Sequence, residues 1–519
     1  MGVTRRLVML LTLVLTSSLL SATSSAHSPE GQPEDSTPQG TNLPASGAAP
    51  SSNNLELVGH DPLFNRGMNA ALAVHGSGDY VYVGSRTDGS PQHRRPGILV
   101  VDVSDPADPQ VVNEIGPPDA GLVGETSREL RVWPQQDLLM VLNFGCSSAI
   151  HACTGGEAVE SRVTFFDVSG DNAAEPKLVS TYHPSRTPHE FFLWVDPAKP
   201  RQRALLFQST PTSSETQPNL VVTDISRARQ GKFSEHTWTA TFHAGVFDNG
   251  EEEDRRLHSV GVSTDGRRTY LAFLGSGFLV LDTSEVAAGV RNPQMELVTP
   301  PENRVRWSNP GAHTAVKIPG KDAALVTDEV YGDALDALGP HGCPWGWVRT
   351  IDISDETTPR MMAEYKVEEN QREYCESREG NDPANTTFTS YASHNPTLTP
   401  NLAFVSWHSA GLETIDISDP THPVRAAKFK PEPLPYVVTE DPALSLGPDK
   451  VVMWSYPVVS DGLIYVVDIR NGLYILRYTG PGSHDVADIK FLEGNSNLGD
   501  ALRFEPVAAP GPGTTGRPR

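Results

Sequence analysis

The chain has 519 residues, of which 38% are hydrophobic and 20% charged, and its 64 Asp and Glu against 41 Lys and Arg give a formal charge of −23. So acidic a surface repels nucleic acid and anionic lipid, which excludes a nucleic-acid-binding role. After the N-terminal residues no apolar run is long enough to span a bilayer, so no transmembrane segment is expected.

The chain opens on Met1-Gly-Val-Thr-Arg5-Arg6, an apolar stretch from Leu7 to Leu20, and Ser24-Ser25-Ala26. A basic start, a short greasy middle and small residues before a cleavage point predict a signal peptide over residues 1–26 and a secreted, extracellular protein. A membrane anchor is the competing reading, but the run is short and polar, Pro-rich sequence follows it. Loss of Arg5 and Arg6 with no acidic residue takes the formal charge from −23 to −25. Residues 27–53, rich in Ser, Pro, Gly, Gln and Asn, predict a disordered leader.

From residue 97 one phrase recurs, an apolar run closing on Asp-Val/Ile/Thr-Ser, with its aspartate at Asp102, Asp167, Asp224, Asp282, Asp352 and Asp416. A degenerate seventh copy, Gly472-Leu-Tyr-Ile-Leu-Arg477, has Arg in place of Asp. The steps are 65, 57, 58, 70 and 64 residues, then 61 to Arg477. That period suits a four-stranded blade with its loops, and seven copies predict an all-β, seven-bladed β-propeller of antiparallel strands over residues 54–480. The fourth repeat is the clearest: His258-Ser-Val-Gly-Val, a Thr264-Asp-Gly266 turn, Tyr270-Leu-Ala-Phe-Leu, Phe278-Leu-Val-Leu-Asp282 and Met295-Glu-Leu-Val298. In each copy the aspartate is expected to accept backbone N–H bonds in the turn after its strand, a structural role.

The last repeat runs out after its third strand. Leu55-Glu-Leu-Val58 resembles Glu296-Leu-Val298, and is expected to supply the missing strand and close the ring. A free arm is the alternative. Residues 481–519 are expected to be a largely disordered extension. Four cysteines in an exported chain predict disulfides, and Cys146–Cys153 with Cys343–Cys375 closes the shortest loops of three connectivities.

The first strands of four successive repeats begin with histidine: His189-Glu-Phe-Phe-Leu, His258-Ser-Val-Gly-Val, His313-Thr-Ala-Val-Lys and His394-Asn-Pro-Thr-Leu. Asn69 or Ala70, Arg128 and Ser455 hold the corresponding places in the other repeats. First strands line a propeller's channel, so His189, His258, His313 and His394 are expected to face one volume and to hold a transition metal. Glu190 is expected to orient an imidazole, and Arg128 to meet an anionic substrate or bound oxygen species. Glu329 and His408, at the ends of second strands, complete the catalytic candidates, with Glu190 or Glu329 as a base. The bland alternative is a wet channel whose histidines were duplicated with the blade. No Gly-rich phosphate loop, HExxH pair or Gly-x-Ser-x-Gly elbow occurs, so no nucleotide cofactor is expected. Residues 366–393 form the candidate lid.

Leu99-Val-Val-Asp102-Val-Ser-Asp-Pro and Thr414-Ile-Asp416-Ile-Ser-Asp-Pro resemble the LVIVD-repeat family of secreted or surface-associated bacterial propellers. The resemblance implies the fold and almost nothing about chemistry. Carotenoid-cleaving oxygenases, with iron, and the selenium-binding/methanethiol oxidase family, with copper, are architectural analogies for an axial histidine site. Export favours copper over iron or manganese. Two functions follow: a monomeric metal-dependent, oxidoreductase-like enzyme acting on a small molecule in the channel, or a non-catalytic extracellular binding propeller.

Overall fold

In the computed structural model, which describes residues 51–86, 94–116, 125–145, 160–248, 250, 252–307, 311–329, 346–377, 390–438 and 451–507, the recurring phrase forms the third strand of successive antiparallel meanders. Apolar side chains on both faces make it a fully buried strand, and glycine opens it where the next strand crosses closely. Gly277 and Gly411 have φ of +80° and +92°. A Cβ at either position would stand 2.0 Å from the Val305 carbonyl oxygen or 2.1 Å from that of Phe429, so only glycine fits. At the strand's other end the aspartate caps the turn. Asp102, Asp224, Asp282, Asp352 and Asp416 each accept the backbone N–H two residues on, at 2.8–2.9 Å.

The protein is mostly β, and its sheets form a β-propeller. Three sheets are plain four-stranded meanders, starting with Glu190–Val195, Leu257–Val262 and Ala312–Lys317. Two are five-stranded and begin their meanders with Pro396–Leu398 and Val458–Ser460. The remaining eight strands, from Asn69–Val74 to Lys177–Tyr182, form two meanders joined by one bridge between Ser85 and Ser127. Apolar clusters lie between neighbouring meanders. Phe192, Trp194, Phe207, Leu271 and Phe273 fill one such seam, and Val81, Leu99, Val467 and Ile475 join the last sheet to the first meander.

The N-terminal segment closes that final seam. Leu55–Asp61 pairs along Gly472–Tyr478 as the last sheet's outer strand. A strand precedes the predicted boundary at residue 54: Ser51–Asn53 pairs with Lys428 to Lys430 of the preceding sheet. Asn54, at φ +59°, turns the chain from one sheet to the next and donates its side-chain N–H to the Ala426 carbonyl at 2.8 Å.

The expectation of a largely disordered segment after residue 480 is corrected as far as residue 507. Phe491–Leu492 adds to the edge of Val458–Ser460. The segment then crosses the ends of the inner strands: Ser496 bridges to Leu193, Asn497 bonds both backbone groups of Val195 at 2.8 Å, and Glu505 meets Lys317. Asn495 donates to Glu129 at 3.2 Å, while Arg131 lies between Glu129 at 2.7 Å and Glu493 at 3.7 Å. This polar layer is almost wholly buried, which is why a tail read as solvent-facing is held in place.

Arg131→Met leaves Glu129 and Glu493 buried without that counter-charge, and a destabilisation of about 3–5 kcal/mol is expected. Urea unfolding measures it; an unchanged midpoint would mean that the C-terminal segment is not seated on the inner strands.

Candidate metal centre

At the opposite ends of the same inner strands the pairing slips. Between Leu257 and Ser259, and between Ala312 and Thr314, one residue has no cross-strand partner, and that residue is His258 or His313. The same irregularity between Ser127 and Glu129 falls on Arg128. A bulge of this kind re-aims a side chain, and here it puts one residue per strand into the channel. His189 directly precedes its strand, with its N–H on the Ser209 carbonyl at 2.8 Å, and His394 bonds the Ser406 carbonyl likewise at 2.8 Å. Hydroxyls of the second strands tie this level from sheet to sheet: Ser209 donates to the His258 carbonyl, Thr327 to that of His394, and Ser406 to that of Ser455, all at 2.6 Å.

The imidazoles form a continuous arc. Ring centroids lie 4.2 Å apart for His189–His258, 3.9 Å for His258–His313, 4.5 Å for His313–His394 and 5.2 Å for His394–His408. Glu329 reaches into the arc, 3.2 Å from Nε2 of His313 and of His394 and 3.5 Å from Nε2 of His408. Ligand atoms of three overlapping groups fall within 4.8 Å of one another: His189, Glu190 and His258; His258, His313 and Glu329; and Glu329, His394 and His408. These buried His and Glu groups can hold a metal ion.

Hydrogen bonds fix which nitrogen is bare. The Trp454 carbonyl can only accept, so His394 carries its proton on Nδ1, 2.7 Å away, and Nε2 offers a lone pair. Ser259 gives its hydroxyl proton to Glu190 at 2.7 Å and therefore accepts from Nδ1 of His258 at 2.9 Å, leaving that Nε2 bare too. The Nδ1 atoms of His313 and His408 meet Thr314 and Ser390 hydroxyls at 2.7 and 2.9 Å. At His394 a lone pair thus faces a carboxylate oxygen at 3.2 Å without hydrogen-bond geometry. Two buried acceptors at that distance repel unless a proton or a cation lies between them.

A proton on His189, His258, His394 or His408 is disfavoured. Burial lowers His394 to about 3. Burial, then the Arg128 charge, holds His189 well below the ordinary range, and burial with His313 does the same to His258. Burial would raise Glu329, but His394 and His313 outweigh it and hold the carboxyl well below its usual range. Its chain neighbour Asp328 is clamped by Arg349 and by the Trp307 indole N–H at 3.1 Å. The Arg349 guanidinium lies 4.5 and 4.7 Å from the Trp307 and Trp347 rings.

The four predicted histidines lie side by side, and His408 and Glu329 lie with them. Arg128 lies 2.8 Å from Nε2 of His189, so that ring is engaged by a guanidinium. Glu329 and His408, read from sequence as catalytic candidates, stand beside the histidines of the arc, in the groups that could hold a metal ion. Glu190 is the orienting acceptor behind Ser259. The hydroxyl after His258 and His313 was the available signal for Nδ1 anchoring, whereas the bulges and intersheet ties leave no mark in one sequence. Cys375 is not a free thiol, while Cys146, Cys153 and Cys343, with the predicted pairings, lie outside the described residues. So do residues 378–389 of the candidate lid.

The LVIVD repeat family matches residues 70–115 and 398–430, so the chain carries LVIVD repeats. No curated protein matches it. Among solved structures it is similar to the β-propeller domain of Myceliophteria thermophila Cps50 (Swd1), at 8% identity and TM-score 0.42, over 79% of this chain and 96% of that one. It is also similar to Chaetomium thermophilum Sqt1 bound to the N-terminus of the ribosomal protein L10, at 12% identity and TM-score 0.42, over 78% and 86% of the two chains.

Long-range proton–nitrogen NMR is expected to find His258 and His394 as neutral Nδ1–H tautomers from pH 8 down to pH 5. Because the folded His394 pKa lies below its unfolded value, the unfolded chain takes up the proton first. Its contribution to stability is complete above about 6.5 and is lost as pH falls toward about 3. A ring titrating near 6.5 would mean that water fills the arc.

Proposed function

We propose that this protein is a secreted, monomeric, seven-bladed LVIVD-repeat propeller that binds one transition-metal ion on its axis, through Glu329 and the Nε2 atoms of His313, His394 and His408, and acts with it on a small molecule. The observation that carries the metal is the Glu329 carboxylate 3.2 Å from Nε2 of both His313 and His394, the latter with its Nδ1 on the Trp454 carbonyl. A cation there would meet a carboxylate oxygen and imidazole nitrogens together. Seven blades follow from splitting the eight-stranded sheet into its two meanders, since the apolar seams then close one cycle. Export rests on the basic and apolar N-terminus, and the expected Cys146–Cys153 and Cys343–Cys375 disulfides suit that compartment.

Three imidazoles with a carboxylate form a borderline to hard donor set. That moves the preference from the copper that export favours toward iron or manganese. A bound ion would supply Lewis-acid or redox chemistry, for which the protein contributes fixed ligands, Nδ1 partners and a dry wall. The second reading, a binding propeller without catalysis, draws support from the Arg128–His189 contact, which satisfies one end of the arc without any ion.

Elemental analysis of untagged protein is expected to find about one equivalent of a single transition metal. Glu329→Gln and His394→Ala should each lower its affinity roughly tenfold or more. Metal-free wild-type protein whose melting point ignores added copper, iron and manganese would leave the binding propeller as the function.

A further inference from the structure

We infer that the C-terminal segment is a plug: its turn at residues 493–496 is seated inside the axial channel and closes it to solvent on one side of the histidine arc. The inference does not depend on an ion. His189, His258, His313 and His394 stand where the inner strands begin, and the segment enters from the side where those strands end. Two neighbouring residues place the turn on the axis. At Gly494 a Cβ would stand 2.1 Å from the Pro396 carbonyl oxygen, 2.4 Å from the Tyr456 ring and 2.9 Å from Thr397 Oγ1, so only glycine fits. Asn495 donates to Glu129 at 3.2 Å and to the Phe191 carbonyl at 3.3 Å, and its own carbonyl accepts the Leu193 N–H at 3.0 Å. In chain order the sheets that begin at Leu257 and Ala312 stand between those of Phe191 and Pro396. The other way round, the sheet of Val458 and the meander of Asn69 stand between those of Pro396 and Glu129. Within two residues the turn thus touches opposite sides of the ring, which only a segment on the axis can do.

The turn also sits deep. Phe191 and Pro396 are each two residues beyond His189 and His394, a rise of roughly 7 Å along an extended strand. The plug therefore forms a floor a short way beneath the imidazoles. Its polar side chains Glu493, Asn495 and Ser496 are buried and are paired there: Ser496 donates to Glu493 at 2.6 Å, and Glu493 faces Arg131 at 3.7 Å. On either side of the turn the chain is pinned to further sheets. Phe491 pairs with Ser460, the Asn497 side chain donates to the Val195 and Thr264 carbonyls at 2.8 and 3.1 Å, and Glu505 meets Lys317. A tail lying on one rim would touch one or two neighbouring sheets, whereas this segment is held by sheets all round the ring.

Amide hydrogen exchange on the full-length protein tests this. The Leu193 and Val195 N–H groups bond to Asn495 and Asn497 of the segment, at 3.0 and 2.8 Å, so they exchange with solvent only when the plug opens. Both are expected to exchange within about tenfold of Leu206, which lies on the central strand beside them. Exchange roughly a hundredfold faster than Leu206 in wild-type protein would overturn the plug. Gly494→Val should drive the turn out of the channel and speed Leu193 and Val195 by roughly a hundredfold, with Leu206 unchanged. A folded Gly494→Val protein in which Leu193 keeps its wild-type protection would overturn it too. The wild-type comparison decides the matter even where the variant fails to fold. Metal uptake enters neither measurement, so the plug and the metal reading stand or fall separately.

Discussion

The axial site exists only because the circle of sheets is closed. No single sheet presents more than one or two of the relevant side chains; the arc assembles when inner strands from distant parts of the sequence are pressed together at one level. What presses them is apolar packing between neighbouring sheets, and that packing is continuous only if the last sheet has a complete outer strand. Leu55–Asp61 supplies it from the far end of the chain. Without it Gly472–Tyr478 would be an open edge, and the seam that holds Val467 and Ile475 against the first meander would lose its outer wall.

Within that frame the site combines rigidity with electrostatic tension. Each bulge residue is unpaired in its ladder, yet its carbonyl or its neighbour is tied to the next sheet by a hydroxyl, so the departure from regular pairing brings no slackness. Buried imidazoles surround one carboxylate, Glu329. Arg349, held between two tryptophans, anchors Asp328 and so fixes where Glu329 begins. The outcome is a buried cluster of His and Glu groups whose ligand atoms lie close enough together to hold a metal ion.

Much of this was legible in the sequence, and what was hidden has a physical reason. The third-strand phrase is legible because its glycine, apolar run and aspartate each answer a local requirement: a close crossing, a buried strand and a capped turn. Aligning first strands placed His189, His258, His313, His394 and Arg128 at one level, since position along an inner strand maps onto height along the axis. Glu329 and His408 follow second strands, and only the turn back toward the axis brings them onto the histidines. The seating of Glu493 and Asn495 was invisible for a different reason. Their polarity reads as solvent exposure, and the partners that make burial tolerable, Arg131 and Glu129, are more than 350 residues earlier in the chain.

Leu55–Asp61 and Phe491–Leu492, far apart in sequence, pair into one sheet, and this sets an order of events in time. Residues 51–61 are synthesised well before their partners, which span residues 428–478, and the edge of Val458–Ser460 waits for Phe491. The N-terminal strand must therefore stay unpaired while nearly the whole propeller is made. Loop closure over such a separation is slow compared with the local meanders between. Assembly of this sheet thus waits on an early segment, and a chain released before residue 478 carries meanders whose last outer strand has nothing to pair with.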